Sequence, residues 1–472
     1  MDQSYRTFIN NCLQQGEMIH ISKEVDPEFD MSPLEYKIYQ ELGKSSYFTN
    51  IKGYPGWRAV SQLFCDRKKY ALGLGIEEDK LHDRLAELIQ KDIDPVILDT
   101  AASCQEVVQT GNEVDLFSIP SLQINEKDGG RYFASGICFT KNPDTGKRNI
   151  SVHRQQIYNR TETGLYLIPR HARRLSELWG AHKRSMPIAM VFGVHPAIWY
   201  GGAFTTEFGR DELGVAGNIL GEPVRLVKCI TQDLEVPADA ELVIEGEMVW
   251  DSEADKFETR EEGPFGELLG TYGPKDKAFV FKATAITRRH DPIYYSIQSG
   301  YPITDNQATL ALGVEIATKN HIKNVEGGLD IRDVVCHSAS GSIMVVISMV
   351  PKVPGQAKTA LLATLSGPYL HPKLAIAVDE DVDAKDLRQV MHSVTTRVHA
   401  IRDVHMIPDT RVFHLDNVSP LVAGEGSIFR MGTKWLIDAT KPSLLQPEER
   451  ATFEPALPAN MDKINIRDYL TK

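Results

Sequence analysis

The stretch ELVIEGEMVW, residues 241–250, is typical of a β-strand, because apolar and β-branched residues form a short run within it. Two further runs, residues 187–194 and 279–286, have the same character. Turn signals such as Asp128-Gly129-Gly130 separate strand-like runs of this kind. This pattern predicts an antiparallel barrel or sandwich, which we assign to a central domain over residues 113–300.

The residues before this domain alternate between helix and strand signals. Apolar spacing predicts a helix over residues 5–13 that ends at Gly16, followed by a strand over residues 18–21. A second amphipathic helix is predicted over residues 77–91. An N-terminal α/β domain over residues 1–112 is therefore expected.

The residues after the central domain return to alternation. The predicted elements are a strand over 343–350, a helix over 356–365, a strand over 374–378 and a helix over 384–401. They indicate a C-terminal α/β domain over residues 301–472. From Pro442 onward the periodicity is weak, and we expect an extended tail that packs on a neighbouring molecule.

Composition restricts the class of protein. Hydrophobic residues make up 42% and charged residues 25% of the 472 residues, as in ordinary globular proteins. The net charge of −12 argues against a nucleic-acid partner, which needs a basic surface. The six cysteines have no metal-binding spacing. No segment resembles a signal peptide or a membrane span, so we expect a cytoplasmic protein with no membrane partner.

One charged cluster suggests chemistry. The string REEGPFGE, residues 260–267, places four charged side chains around a Gly-Pro turn, and carboxylates fixed in this way can act as acids. Its glycines suggest a close approach of backbone to a ligand. A charged turn facing solvent is the alternative interpretation.

Two other clusters suggest ligand binding. On a strand, NISVHR (residues 149–154) would present Asn149, Ser151 and His153 on one face and Arg154 on the other, although an edge strand facing solvent has the same pattern. The string PRH, residues 169–171, opens a helix predicted over residues 172–182, where basic groups and a helix N-terminus suit a phosphate. A histidine at that position can equally be a cap or a core residue.

These clusters carry a family resemblance. The strings NISVHR, IPRH, DELGVAGNIL, VKC, LEVPADAELVIEGE and EEGPFGE occur in the order and spacing of the UbiD family of reversible decarboxylases. The likeness extends to both ends of the chain, for example FINNCLQQGEMIHISKEVDP and VPGQAKTALL. It implies an N-terminal α/β domain, a central split β-barrel resembling flavin reductases, and a C-terminal α/β domain used in oligomerisation, as a homodimer or hexamer.

The resemblance also implies a cofactor, prenylated flavin mononucleotide (prenylated FMN, or prFMN). A separate flavin prenyltransferase makes it from flavin mononucleotide (FMN). The family anchors its phosphate through Mn²⁺, or Mg²⁺ in its place, often with K⁺. Asn149, His171 and Glu212 are the implied metal ligands, and amide, imidazole and carboxylate are compatible with such ions. The other implied cofactor contacts are Ser151, Val152, His153, Arg154, Arg170 and Lys358. Lys352 is a nearby alternative to Lys358 for the phosphate contact.

The family's arginine and two glutamates match Arg154, Glu262 and Glu267. The resemblance implies that Glu267 delivers a proton to the product while Arg154 and Glu262 hold the substrate carboxylate. A flavin or NAD(P)H oxidoreductase on the same barrel, and a non-catalytic accessory subunit of a decarboxylase, are the competing hypotheses.

The substrate expected from the resemblance is an aromatic or heteroaromatic carboxylic acid. The segment GYPITDNQ, residues 300–307, approaches the substrate in the family, and here it offers the amide of Asn306. An amide can bond to a ring N–H or a ring oxygen, which favours a pyrrole, furan, indole or hydroxybenzoate carboxylate. Asn306 could instead cap the helix that follows.

Overall fold

The structure is a computed structural model that describes residues 3–204, 206–300, 303–323, 325, 328–422, 429–459 and 463–470. Of the segment GYPITDNQ, Tyr301 and Pro302 lie outside the described residues, as does the domain boundary predicted at residue 301. None of the helices in these ranges is long and apolar enough to cross a membrane.

Helices and strands alternate at both ends of the chain, and strands dominate its centre. The helices are α1 (Tyr5–Gln14), α2 (Met31–Leu42), α3 (Arg67–Leu74), α4 (Leu81–Leu88), α5 (His171–Ala181), α6 (Pro196–Ala203), α7 (Glu212–Leu220), α8 (Asp305–Lys323), α9 (Gln356–Leu365), α10 (Leu387–Arg397), α11 (Ala400–Asp403) and α12 (Pro447–Ala451). The strands are β1 (Met18–Ile21), β2 (Ser45–Phe48), β3 (Arg58–Ser61), β4 (Val96–Ile97), β5 (Val107–Thr110), β6 (Tyr132–Phe133), β7 (Ile137–Lys141), β8 (Arg148–Val152), β9 (Gln155–Ile157), β10 (Glu162–Leu165), β11 (Met186–Phe192), β12 (Arg225–Lys228), β13 (Glu235–Pro237), β14 (Leu242–Met248), β15 (Trp250–Asp251), β16 (Lys256–Phe257), β17 (Thr259–Glu262), β18 (Phe265–Gly266), β19 (Tyr272–Gly273), β20 (Asp276–Arg288), β21 (Ile293–Ser296), β22 (Asp330–Cys336), β23 (Met344–Val350), β24 (Leu374–Asp379), β25 (Val404–Val412), β26 (Leu421–Val422) and β27 (Phe429–Ala439).

The N-terminal sheet has the order β1-β2-β3-β21, so a strand from far along the chain completes it. Helix α1 packs beside it. The hydroxyl of Ser4 accepts from the Arg6 N–H at the start of this helix, which then buries Tyr5, Phe8, Ile9 and Cys12. The helix and the strand β1 confirm the elements predicted from this stretch of sequence.

The central sheet has ten strands among the described residues, in the order β6-β9-β10-β20-β14-β11-β7-β8, with β5 and β17 also paired to β20. Neighbouring strands in the described part of this sheet run antiparallel, as the sequence predicts. In β11, Ile188, Met190 and Phe192 enter one hydrophobic cluster, while Ala189 and Val191 enter another. Both faces of β11 are thus buried, which explains its continuous apolar run.

The C-terminal sheet has the order β22-β23-β24-β27-β25, with β26 added to β27. The predicted elements are present, but the helix expected over residues 384–401 is broken. Helix α10 ends at Arg397, because Val398 and His399 are extended and Asp403 accepts from the His399 N–H at 2.8 Å. Partly buried Val398 packs against the apolar residues beneath. The tail from Pro442 contains the short, exposed helix α12.

Candidate active site

A cavity of about 830 Å³ opens where the central sheet, helices α5 to α7 and the C-terminal sheet face each other. This volume is in the range of small-molecule sites. Strand β8 and the residues after it form one wall, and the start of α8 forms another. Of the predicted site residues, those that line the cavity are Asn149, Ser151, Val152, His153, Arg154, Arg170, His171, Glu212, Glu267 and Asn306.

At one end, Arg154 joins the two predicted glutamates. Its Nε and Nη2 donate to the Glu262 carboxylate at 2.9 and 3.0 Å, and its Nη1 donates to Glu267. Glu262 is fully buried behind the arginine and also accepts from the Tyr132 hydroxyl at 2.9 Å. The strand predicted through NISVHR ends at Val152, so Arg154 lines the same cavity as His153 rather than facing another ligand.

The surroundings of this end hold the Arg154 side chain in place and shift the pKa of Glu267. The Arg154 guanidinium lies between two rings, 4.4 Å from the centroid of Tyr166 and 4.7 Å from that of Phe265. Burial raises the pKa of the Glu267 carboxyl, although the charge of Arg154 opposes the effect. Burial thus shifts the Glu267 carboxyl in the direction that suits a general acid.

The other two charged residues of the string REEGPFGE, Arg260 and Glu261, do not line the cavity. Arg260 pairs with Glu162 at 2.7 Å and Glu261 with Lys275 at 2.6 Å, both near the surface. Gly263 has φ of +92°, and its carbonyl lies against Gly129. A side chain at Gly129 would collide with that carbonyl. Glycine therefore permits a close approach of two backbone segments here, while the expected close approach to a ligand stays a prediction.

At the other end, Glu212 is the first residue of α7 and reaches β8. Its carboxylate accepts from Asn149 Nδ2 at 2.9 Å, the Ile150 N–H at 3.0 Å and the Thr206 hydroxyl at 3.1 Å. Burial raises the pKa of Glu212 to about 7. Asn149 Oδ1 is buried and has no hydrogen-bond partner in the structure. An unpartnered buried amide oxygen beside a carboxylate is a donor set that fits a hard cation.

His171 begins helix α5, and its ring lies 5.3 Å from that of Phe208. Burial, followed by the charges of Arg170 and Arg174, lowers the pKa of His171, which keeps the imidazole neutral as a ligand must be. Within the described residues, no three His, Cys, Asp or Glu side chains form a metal-binding group. The predicted set contains only two such residues, with Asn149 as its third member.

Between the two ends, Ser151 Oγ and His153 Nε2 are 2.8 Å apart. Burial lowers the pKa of His153 to about 4, so its imidazole is neutral near pH 7. Lys358, in contrast, is not among the lining residues: it lies on α9, where its charge acts on Asp438. Lys352 is exposed and is also not a lining residue.

Asn306 lies in the first turn of α8. Its Oδ1 accepts from the Gln307 N–H at 2.9 Å and from the Thr304 hydroxyl, while its Nδ2 lies 3.3 Å from Ser299 Oγ. The amide oxygen therefore serves the helix start, and Asn306 also lines the cavity. The Asn306 side chain thus has features of both roles that the sequence left open.

Sequence reasoning missed several lining residues, namely Trp199, Ile297, Gln298, Arg411 and His414. Ile297 and Gln298 directly follow strand β21 and precede the segment GYPITDNQ, so their position beside that segment was the available signal. Arg411 and His414 offered none, because they stand in an ordinary stretch about 250 residues from Arg154 and only folding brings them near it.

Comparisons with known proteins agree over nearly the whole chain. Three family models match: the 3-octaprenyl-4-hydroxybenzoate carboxy-lyase N-terminal domain over residues 9–89, the Rift-related domain over 96–302 and the C-terminal domain over 309–439. An uncharacterised protein of Synechocystis is 30% identical over 473 residues, covering 93% of this chain and 90% of its own.

Two solved enzymes share the fold. The UbiD-class enzyme HmfF of Pelotomaculum thermopropionicum, in complex with FMN, is 30% identical with a TM-score of 0.88, covering 99% of this chain and 100% of its own. An evolved dimeric form of HmfF, in complex with prFMN, is 28% identical with a TM-score of 0.86 over the same shares. A 3,4-dihydroxybenzoic acid decarboxylase of Enterobacter cloacae is 25% identical with a TM-score of 0.86, covering 99% of each chain. The chain belongs to the UbiD family of carboxy-lyases.

Proposed function

We propose that this chain catalyses the reversible, non-oxidative decarboxylation of an aromatic or heteroaromatic carboxylic acid with prenylated FMN. The observation that carries the proposal is the arrangement of one cavity. Arg154 is held by Glu262 and Glu267 at one end, and an unpartnered Asn149 oxygen lies beside Glu212 at the other. The relatives that bind FMN and prFMN in their solved structures support the choice of cofactor.

The residues present fit the implied cofactor and metal. Asn149, Glu212 and His171 would hold Mn²⁺ or Mg²⁺, with K⁺ as a further ion, and the divalent ion would neutralise a phosphate that would otherwise meet Glu212. Ser151, Val152, His153, Arg154 and Arg170 are the proposed further contacts. When bound, prenylated FMN supplies the electron sink that loss of CO2 from an sp² carbon requires. Lys358 stays a proposed phosphate contact, although it is not among the residues that line the cavity.

The side chains at the acid end divide the remaining work. Three of the five N–H donors of Arg154 serve Glu262 and Glu267, so two are left for the substrate carboxylate. Buried Glu262 fixes the arginine from behind, and the rings of Tyr166 and Phe265 keep its plane in place. Glu267, whose pKa burial raises, is the proposed donor of the proton to the ring carbon that has lost CO2.

We propose the family's architecture for the whole molecule: a domain over residues 1–112, a split β-barrel over 113–300 and an oligomerisation domain over 301–472. In this proposal the protein is a cytoplasmic homodimer or hexamer, loaded by a flavin prenyltransferase. The substrate is a pyrrole, furan, indole or hydroxybenzoate type of acid. The 3,4-dihydroxybenzoic acid decarboxylase among the relatives supports the last of these classes.

Co-expression with a flavin prenyltransferase tests the function. The purified protein should carry a flavin whose absorbance and intact mass differ from those of FMN, and should release CO2 from at least one ring acid. Protein expressed without the prenyltransferase is the control and should release none. Oxidation of NADPH without release of CO2 would establish the oxidoreductase instead, and a loaded protein inert towards every acid would favour the accessory subunit.

A further inference from the structure

Two consecutive residues of strand β8 bind two consecutive residues at the start of helix α7. Arg148 Nη1 donates to Asp211 Oδ2 at 2.5 Å, and Asn149 Nδ2 donates to Glu212 Oε1 at 2.9 Å. Because successive side chains of a strand point to opposite faces, the two pairs hold the start of the helix from two sides. An ion pair therefore lies directly beside the two proposed cation ligands, Asn149 and Glu212.

Glu235, on strand β13, fixes the arginine of this ion pair. Its Oε2 accepts from Arg148 Nη2 at 2.9 Å, and its Oε1 accepts from Lys141 Nζ at 2.8 Å. Lys141 lies opposite Arg148 in the hairpin of β7 and β8, so the Glu235 carboxylate separates two basic side chains that would otherwise repel each other. The Arg148 side chain is 12% exposed, and its planar guanidinium joins two carboxylates in a fixed geometry.

Asp211 connects the arginine to the backbone of the helix. Its Oδ1 accepts from the Leu213 N–H at 2.9 Å and so caps α7, while its Oδ2 accepts from Arg148. Glu212 is the next residue, and its Oε2 accepts from the Ile150 N–H of β8 at 3.0 Å. The position of Arg148 is therefore passed through one carboxylate to the backbone that carries the proposed cation ligand.

We infer that Arg148 is a positioning residue for the cofactor end of the cavity. Through Asp211 it holds the start of α7 against β8, so that Glu212 and the Asn149 amide oxygen form a ligand pair that is ordered before the cation binds. The inference rests on the proposed function, because it takes a divalent cation and the flavin phosphate as the ligands of this end. Ordering the ligands beforehand lowers the entropic cost of binding.

Binding of Mn²⁺ and of FMN to the full chain tests the inference without turnover. Arg148→Gln and Asp211→Asn should each weaken Mn²⁺ binding, measured by calorimetry, by roughly 10- to 100-fold, and FMN per protein should fall with it. The double variant should bind no more weakly than the weaker single variant, because both changes break the same pair. Arg148→Lys keeps the charge without the fork and should restore part of the affinity. Asp211→Asn keeps an oxygen for the Leu213 N–H, so it tests the pair even if Arg148→Gln does not fold.

The matched control is Lys141→Gln. It removes the other basic partner of Glu235 and leaves the pair of Arg148 and Asp211 in place, so Mn²⁺ affinity should match that of wild type. Urea unfolding of every variant reports its stability. A residue with a purely structural role would lower that stability without changing the affinity for Mn²⁺.

Four results would overturn the inference. They are unchanged Mn²⁺ affinity in Arg148→Gln or Asp211→Asn, tighter binding in Arg148→Gln because the released Asp211 carboxylate attracts the cation, an equal loss in Lys141→Gln, and additive losses in the double variant. A wild-type chain that binds neither Mn²⁺ nor FMN would remove the site itself. A wild-type chain that binds both but decarboxylates no ring acid would contradict the proposed reaction and leave the role of Arg148 standing.

Discussion

Glu267 is the acid on which the proposed chemistry depends. Glu267→Gln keeps the shape of the side chain but removes the proton donor, so we expect turnover to fall by roughly 10²- to 10⁴-fold while flavin is retained. Because burial raises the pKa of Glu267, wild-type activity should persist to a higher pH than an ordinary glutamic acid would allow. Steady-state CO2 release against pH measures both effects. The matched control is Glu261→Gln, at an exposed neighbour. Near wild-type turnover in Glu267→Gln would show that Glu267 is not the proton donor.

Glu212 joins helix α7 to strand β8 at the proposed cofactor end of the cavity. In Glu212→Ala the carboxylate that meets both Asn149 and the implied cation is lost, so we expect a folded protein with far less bound metal and flavin. His171→Ala should behave in the same way. Elemental analysis and flavin absorbance give the stoichiometries, with Glu207→Ala at an exposed position as control. Stoichiometric metal and flavin in either variant would argue against these ligands.

Glu35 is a buried acid outside the cavity, and it makes stability depend on pH. Its Oε2 accepts from Gln298 Nε2 at 2.6 Å and from Ser296 Oγ at 3.2 Å, and burial raises its pKa from 4.5 to about 8. Between these values the folded state holds a proton that the unfolded state releases. The free energy of unfolding therefore falls as pH rises from about 4.5 to about 8.

Glu35→Gln removes this linkage while keeping a hydrogen-bonding amide. We expect the variant to gain on the order of 1–3 kcal/mol over wild type at pH 8 and almost nothing at pH 4.5. Urea unfolding at both values measures the difference, with Glu87→Gln at an exposed position as control. A pH-independent difference would mean that Glu35 is not the linked group.

At the scale of elements, the start of α8 forms part of the cavity wall. Thr304 N–H donates to Gln307 Oε1 at 3.0 Å, and the Gln307 N–H donates to Asn306 Oδ1 at 2.9 Å, so both side chains satisfy donors at the start of the helix. If the Asn306 amide nitrogen also meets the substrate, Asn306→Ala should cost roughly 1–3 kcal/mol in kcat/KM for polar ring acids and little for apolar ones. A panel of ring acids measures this, with unfolding to report the helix. An equal loss across all acids would leave only the capping role.

At the scale of the whole molecule, the C-terminal domain exposes apolar side chains. Ile401 is 89%, Met406 73% and Val418 82% exposed. On the hypothesis that these side chains belong to an association surface, we expect a homodimer or hexamer by light scattering and a smaller assembly for Met406→Glu. Val108→Glu, on the exposed edge strand β5, is the control. A wild-type protein that is monomeric by light scattering would contradict the predicted homodimer or hexamer.

The local elements were predictable because they follow periodicity. Tyr5–Gln14, Met18–Ile21 and Gln356–Leu365 appear nearly where apolar spacing places them. The break at Val398 was not predictable, because it depends on which apolar residue the C-terminal core accepts. Much of the candidate site was also named beforehand, although Glu212 rested on family resemblance and not on spacing.

The sequence by itself determined the order of helices and strands, the antiparallel character of the centre, and the residues whose chemistry the family uses, because these depend on local pattern and motif. Tertiary structure alone decided the rest. It joined Arg154 to Glu262 across 108 positions, turned Glu261 outward, and left the Asn149 oxygen unpartnered. It also brought Arg411 and His414 to the cavity. The reason is physical: burial and charge pairing are properties of long-range contacts, which no local pattern encodes.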